Sequence, residues 1–569
     1  MVLLVLALAG ALLFLRLGER SLWGPEGRWA SVAREMRLSS NYFWPTINGV
    51  GYYDKPLLSY WLVLGAAHLT GGLNEAATRL PSAVSGLLGV GLLVLLARKL
   101  YDARTALLAS FILATSYSYV FFSRTASADI ETVTGVLAAL CLFAHNEERA
   151  NGWWVAGFWL IMAVTSLTKG LLGFVLPLLV IGTYSLLAEG WRGLVDRIFH
   201  GPLEKRLTWL VSRGRWFFNW KTIAAVALAG VIYYLPFALS QSRTHMNTGL
   251  YMVFRENVVR FFRPFDHPGP VYLYAYAIFK LMAPWCVFLP AALVQTQARS
   301  ESKSDRFTLA YFWATFVFFT LSGSRREYYL LSILPAAALL VARLFAARRA
   351  ELDKRARWLL DASYVLGTLV ILVLGVVALL PPALRPGALS DLPGVPAPMV
   401  FGLFWLLMFA SVVYALPSLR PERMALSVSV IAYLSLLHLF VFALPESESY
   451  RGEKEFAQAV RARLGDELSQ LVLYRTGDPG LIFYLAAPGP LKYYGNASDL
   501  LPLLENNSSL WVISRDRRLA DLARRGAVVA EEHEYGLLRS PHHYINHVLL
   551  RFGPAGAERT PTPRSPVTE

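Results

Sequence analysis

GYYDKPLLSYWLVLGAAHLT, residues 51–70, places Asp54 and Lys55 side by side between two tyrosines and a proline, then runs apolar from Leu57. A helix needs about 17–25 apolar residues to cross a bilayer. The run 57–70 is shorter and lies between amphipathic stretches, so it reads as an interfacial segment. That reading decides the topology, because a span at 57–70 would move every later loop to the other side.

The composition fixes the class. Of 569 residues, 55% are hydrophobic and only 16% are charged, and the mean hydropathy is positive. This exceeds the apolar content of soluble globular chains and indicates a polytopic α-helical membrane protein. Stretches of spanning length fall near 1–17, 80–97, 105–122, 128–145, 152–168, 170–188, 222–240, 271–295, 307–322, 328–346, 358–380, 398–418 and 424–444, about 13 transmembrane helices. The opening MVLLVLALAGALLFLRLGER has no basic region before its apolar core and no clear cleavage site after it. It is read as a retained first span rather than a secretion signal. Cys141 and Cys286 both lie in apolar runs, which argues for packing roles and against a disulfide framework.

A net charge of +15 would point to nucleic acid in a soluble protein, but here the cations fall in alternate loops. One set holds Arg98, Lys99 and Arg104, the long loop 189–221, Arg299, Lys303 and Arg306, ARRAELDKRAR at 347–357, and Arg420 with Arg423. The other set is 18–79, SRTASADIE, SLTKG, 241–270, SGSRREYY and the Pro-rich 381–398. The first set is assigned to the cytoplasm and the second to the exoplasm of a bacterial-type inner membrane. Nucleic acid is excluded as a partner. The N-terminus is then cytoplasmic, and everything after about residue 445 is exoplasmic.

Past that point the pattern changes. ESESYRGEKEFAQAVRARL is an amphipathic helix, and LSQLVLYRT, GLIFYLA, SLWVISR and HVLLRF are strand-like. The expected organisation is a transmembrane domain over 1–445 with a first exoplasmic loop at 18–79, a small exoplasmic α/β domain over 446–553, and a disordered Pro/Thr-rich tail over 554–569. In SPHHYINH, His543 and His547 have the spacing of a helical metal pair, but the stretch has no glutamate and leads into a strand, so no metal role is assigned.

Polar groups acquire meaning from their side of the membrane. EGRWASVAREM, residues 26–36, has the pattern of a surface helix whose charges Arg34 and Glu35 face water. Asp129 lies at the exoplasmic rim where one span ends and the next begins; a helix N-cap is the plain alternative. Lys169 sits in a very short connection, where a snorkelling lysine is the plain alternative. FRENVVRFFRPFDHPGP concentrates Arg255, Asn257, Arg260, Arg263 and His267 among aromatics, as an aromatic belt would. Carboxylates and cations gathered on one side are what group transfer from a phosphate-linked lipid requires. A carboxylate deprotonates or orients the acceptor, while Lys and Arg hold the phosphate as charge develops. Asp54 and Lys55 fit that division of labour beside the lipid boundary, an exposed loop ion pair being the alternative.

PEGRWASVAREM, FWPTINGVGYYDKPLLSYW, TRLPSA, SRTASADIET, SLTKG, ENVVRF, HPGPVYLY, APW and SGSRREYYLLSILPA occur in that order between about residues 20 and 345. In this order they resemble the lipid-phosphate-dependent sugar transferases of the C-type superfamily. The lipid A 4-amino-4-deoxy-L-arabinose transferase branch is the nearest, and the protein O-mannosyltransferases are more distant. The resemblance implies a polyprenyl-phosphate-linked sugar donor and a glycolipid, glycan or protein acceptor at the bilayer. It implies Asp129 as the rim aspartate and Asp54–Lys55 as the acid–lysine pair, Lys55 meeting the carrier phosphate. Arg28, Lys169, Arg260, Tyr328 and Tyr329 take donor- or phosphate-contacting positions. One departure matters: the acidic pair of the first loop is here Pro25–Glu26, so Glu26, one methylene longer than the usual aspartate, is the first candidate base, followed by Asp129 and Asp54. Some relatives bind a divalent metal near the acid–lysine pair through a histidine. Asn257 stands at that position, with His267 nearby, and no cofactor is assigned. A lipid-linked sugar transporter or flippase and a non-catalytic scaffold are the alternatives. The first would place ionisable groups near mid-span rather than at the rims.

The topology is testable by cysteine accessibility. Loop 189–221 carries seven Lys/Arg against three acids and is expected to label only from the cytoplasm, with 460–550 labelling only from outside. The opposite labelling of 460–550 would overturn the sidedness of every candidate site residue.

Overall fold

The computed structural model describes residues 1–149, 152–187, 219–244, 248–298, 302–380, 398–446, 452–506, 510–515, 529–534 and 547–552. Most of loop 189–221, nearly all of 381–398, the tail 554–569 and His543 lie outside the described residues. From the N-terminus the first helices are α1 (Val2–Phe14), α2 (Glu26–Ser39), α3 (Leu58–Leu69), α4 (Glu75–Leu100), α5 (Ala103–Ala114), α6 (Tyr117–Ser123), α7 (Asp129–Asn146), α8 (Trp154–Lys169) and α9 (Leu172–Leu186).

The chain is a polytopic helical membrane protein. Among the described residues, α4, Trp220–Ser242, Glu327–Ala346, Lys354–Val377 and Pro421–Glu446 are long and apolar enough to cross a membrane. A sixth span is made by α5 and α6 if a pair bent by 63° counts as one. Helix occupies each of the thirteen stretches marked in the sequence, but many are shorter than a full span or broken. The stretch 271–295, for example, is divided into Leu273–Leu281, Trp285–Phe288 and a helix from Leu289.

Two compact units divide the chain: Met1–Arg20, Tyr42–Trp44 and Tyr53–Glu446 form one, and Ser21–Asn41, Pro45–Tyr52 and Ser447–Glu569 the other. In the first, Leu334–Ala346 is buried along almost its whole length and packs on α5, while α4 packs on α7, α5 and α1. Small residues permit this closeness. A side chain at Gly86 or Gly89 of α4 would collide with Ser123 or Tyr119, and the Tyr119 hydroxyl donates to the Gly86 carbonyl at 2.7 Å. The last carbonyls of a helix lack partners within it, and in an apolar setting that is costly. Arginines supply partners for α1 and the turn after it: Arg124 donates to Leu12 O at 2.7 Å and Leu15 O at 2.8 Å, and Arg79 to Leu17 O at 3.0 Å and Arg20 O at 2.7 Å.

The second unit joins the first-loop helix α2 to the C-terminal region, so the compact units cut across the expected 1–445 and 446–553 division. Its five-stranded sheet has the order β4-β3-β5-β7-β6, with β3 (Val472–Tyr474), β4 (Lys492–Tyr494) and β5 (Leu510–Arg515) parallel, and β6 (Val529–Glu534) and β7 (His547–Phe552) antiparallel. GLIFYLA, read as strand-like, is instead the helix Pro479–Leu485. A short apolar run does not distinguish strand from buried helix, and Pro479 at the first helical position favours helix. The charges expected to face water are engaged. Arg34 donates to Ala487 O. Glu35 accepts from Thr46 Oγ1 at 2.6 Å, from the Gly49 amide at 3.0 Å and from the Asn48 amide, pinning the small hairpin β1 (Thr46–Ile47) and β2 (Val50–Gly51). Gly27 of α2 faces the Gly480 backbone so closely that any side chain there would clash.

At the carboxyl end of β3, Asp478 accepts from Arg515 at 2.9 Å and pairs with His547 Nε2 at 3.0 Å. That nitrogen also meets Thr476 Oγ1 at 2.8 Å. Burial opposes ionisation of Asp478, but His547 and Arg515 outweigh it and hold the carboxyl at about 2. Burial, reinforced by Asp478, pushes Glu453 up to about 7. Between the ordinary carboxylate range and that value the unfolded chain ionises Glu453 and the folded one does not, so this unit loses stability as pH rises from about 4.5 to 7. Glu453→Gln is expected to stabilise β3 at pH 8 by about 2–3 kcal/mol, the gain vanishing below about pH 4.5. Amide exchange of Val472–Tyr474 across pH measures it; a gain equal at both ends would contradict the assignment.

Candidate active site

Helix α7 begins at Asp129, directly after Ala128 in the left-handed conformation (φ 59°), and α8 ends at Lys169. Gly170 (φ 127°) and Leu171 then turn the chain into α9. Asp129 and Lys169 meet there as an ion pair, with side-chain exposures of 7% and 14%. Two buried charges are tolerated only as partners. The Lys169 ammonium also lies 5.2 Å from the Tyr328 ring centre and 5.4 Å from that of Tyr329, close enough for cation–π attraction. The two rings stand edge to face, 5.1 Å apart.

Arg260 approaches the same tyrosines. It follows a π-helical turn, Arg255–Val259, a local widening often found at functional sites. Its guanidinium donates to the Tyr329 hydroxyl at 2.8 Å and to Ser324 Oγ at 3.1 Å, and pairs with Glu256 at 2.7 Å and Asp266 at 2.7 Å. Tyr329 therefore bridges the two cations. Its ring faces Lys169 and its hydroxyl receives Arg260.

Of the nine site residues marked in the sequence, Asp129, Lys169, Arg260, Tyr328 and Tyr329 form one connected cluster. Asp54 and Lys55 are half-buried in the same compact unit; the Lys55 ammonium donates to the Asp54 backbone carbonyl at 2.9 Å. Glu26 and Arg28 belong to the second unit. Glu26 is buried at the first position of α2, and its Oε2 accepts from the Trp23 amide at 3.1 Å. Arg28 donates to the Tyr52 hydroxyl at 2.8 Å. Sequence reasoning missed Glu256, Asp266 and Ser324. Glu256 had a signal, its i,i+4 spacing from Arg260. Asp266 and Ser324 are brought in by folding alone.

The donor set does not fit a divalent cation at the position where a histidine would be expected. The Asn257 side-chain Oδ1 accepts from the Leu171 amide at 3.0 Å, and its Nδ2 donates to Val253 O at 2.8 Å. The His267 ring lies against the Arg326 guanidinium, and partial burial together with Arg326 lowers its pKa. Among the described residues no group of three or more His, Cys, Asp or Glu is placed to hold a metal ion.

Comparisons with known proteins agree with this architecture. Residues 54–204 match the family model described as dolichyl-phosphate-mannose-protein mannosyltransferase. The undecaprenyl phosphate-alpha-4-amino-4-deoxy-L-arabinose arabinosyl transferase 2 of Pseudomonas fluorescens strain Pf0-1 is 28% identical over 59% of this chain and 57% of its own length. The corresponding transferase of Pseudomonas aeruginosa PAO1 is 28% identical over 59% of this chain and 58% of its own. The match thus spans less than two thirds of these relatives. The crystal structure of ArnT from Cupriavidus metallidurans bound to undecaprenyl phosphate superposes with a TM-score of 0.71 at 21% identity, covering 99% of both chains. The chain carries the fold of the lipid-phosphate-dependent C-type glycosyltransferase superfamily.

The buried pair has a stability signature. Lys169→Met strands the Asp129 charge and is expected to cost about 3–5 kcal/mol. Adding Asp129→Asn should recover most of that. Thermal midpoints of the purified single and double variants decide it; additive losses would show that the pair is not coupled.

Proposed function

We propose that this protein transfers a sugar from a polyprenyl-phosphate donor to a hydroxyl-bearing envelope acceptor, a lipid A-type glycolipid, a glycan or a protein, on the exoplasmic face of a bacterial inner membrane. The observation that carries the reading is the Lys169–Tyr329–Arg260 bridge beside Asp129. Two cations held by one tyrosine, each with carboxylates as present partners, can exchange those partners for phosphate oxygens. The relatives' names, which specify undecaprenyl phosphate and an aminoarabinose, support the donor class. The finer topology belongs to the same reading: thirteen spans, a cytoplasmic N-terminus and an exoplasmic C-terminal domain.

In the proposed reaction the acceptor hydroxyl oxygen bonds to the sugar's anomeric carbon as the bond from that carbon to the phosphate oxygen breaks. Polyprenyl phosphate leaves with the electron pair, and the hydroxyl proton passes to a carboxylate. No external energy source is needed, because the donor is already activated. Glu26, buried at the start of α2, is assigned the base. Asp129 orients the acceptor, and Lys55, Lys169 and Arg260 stabilise the leaving phosphate. Arg28, Tyr328 and Tyr329 complete the donor contacts. Asp54 is the third carboxylate of the proposed site, next to Lys55 in the chain.

Transfer from undecaprenyl-phosphate sugar in proteoliposomes tests the assignments. Glu26→Gln is expected to abolish turnover with donor binding intact, Asp129→Asn to be nearly as damaging and Asp54→Asn milder. Lys55→Ala should lose tenfold or more at limiting donor, about 1.5–3 kcal/mol, with Lys55→Arg only a partial rescue. Wild-type turnover in Glu26→Gln with a dead Asp129→Asn would move the base to Asp129. Donor flipping without any acceptor would favour the transporter.

A further inference from the structure

Asn257 lies in the middle of the π-helical turn Arg255–Val259, three residues before Arg260. It reaches out of that turn to the connection between α8 and α9, where its side-chain oxygen takes the Leu171 amide at 3.0 Å. Its side-chain nitrogen returns to Val253 O at 2.8 Å, one turn back on its own helix. A side chain at Gly170 would come within 2.5 Å of the Asn257 oxygen and 2.7 Å of its nitrogen. The carboxamide therefore fills the space that the missing side chain leaves open, and Gly170 alone fits there, because its φ of 127° is one that L side chains rarely adopt. Both carboxamide groups are satisfied by backbone.

From this contact we infer that Asn257 is a positioning residue, a latch that registers the turn carrying Lys169 against the turn carrying Arg260. The two cations come from segments 91 positions apart in the chain, and Tyr329 meets both of them. Beyond that shared tyrosine, Asn257 fixes the backbone on either side: Leu171 is two residues past Lys169, and Arg260 is three past Asn257. A clamp for a phosphate depends on such spacing, since small misplacements of charged donors cost binding and rate steeply. The inference rests on the donor-phosphate reading for its consequence, but the latch itself is a property of the backbone.

The test measures the two separately on the full-length protein in lipid nanodiscs. In the first arm, hydrogen exchange is followed at the peptide covering 166–173. Asn257→Ala is expected to speed exchange of the Leu171 amide by about tenfold or more while the body of α8 is unchanged, and Asn257→Asp, which keeps an acceptor for that amide, to restore part of the protection. In the second arm, undecaprenyl phosphate itself is the probe. Asn257→Ala should bind it about tenfold more weakly, raise the donor KM to match and lower kcat as well. Exchange that speeds across the whole of α8, with Asn257→Asp no better than Asn257→Ala, would show a general loss of folding and overturn the latch. Unchanged exchange at Leu171 in Asn257→Ala overturns the latch. Faster exchange with wild-type affinity and KM overturns its role in spacing the cations. Wild-type protein that fails to bind undecaprenyl phosphate would instead sink the donor reading, with the exchange arm still deciding the latch.

Discussion

A carboxylate and an ammonium, each too costly to bury alone, are held together where α8 ends and α7 begins. The surrounding architecture serves that pair. Helix α7 starts abruptly at Asp129 and α8 stops at Lys169, because Gly170 takes a backbone conformation that ends the helix. Tyr328 and Tyr329 offer their rings to the ammonium, and Arg260 completes the arrangement through the Tyr329 hydroxyl. In a chain so apolar, a buried charge without a partner is costly, and here the partners link four separate stretches of sequence.

The same constraint explains the arginines at the end of α1. Arg79 and Arg124 spend their guanidiniums on backbone carbonyls, so they close a helix terminus and are not part of the charged cluster. Position in the sequence does not separate such helix-closing cations from Lys169 and Arg260. Their partners do: helix-end carbonyls for Arg79 and Arg124, against carboxylates and aromatic rings for Lys169 and Arg260.

Much of this was legible in the sequence, for identifiable reasons. The apolar stretches mark helices because hydropathy is a property of local composition, and Asp129, Lys169 and Arg260 stood out by their place in loops expected on one side of the membrane, whereas Tyr328 and Tyr329 were marked only by the family resemblance. The fate of α2 was not legible. Its amphipathic pattern is the same whether the polar face meets water or, as for Glu35, a hairpin's amides; only tertiary structure chooses. Pro479–Leu485 was misread because a seven-residue apolar run has no decisive period. Asp266 and Ser324 could not be found from Arg260 by spacing, since they reach it through a loop and a distant segment. The π-helical turn at Arg255–Val259 is likewise invisible to a pattern search tuned to 3.6 residues per turn.

The central claim is that the Asp129–Lys169–Tyr329–Arg260 cluster is where the phosphate of a polyprenyl-phosphate donor sits. Photolabelling of the protein in vesicles with a polyprenyl phosphate carrying a photoreactive group next to the phosphate tests it most directly. The account predicts label on the peptides containing Lys169, Arg260 and Tyr328–Tyr329, displaced by undecaprenyl phosphate and not by the uncharged polyprenol. Label that avoids those peptides, or that polyprenol displaces equally well, would contradict it.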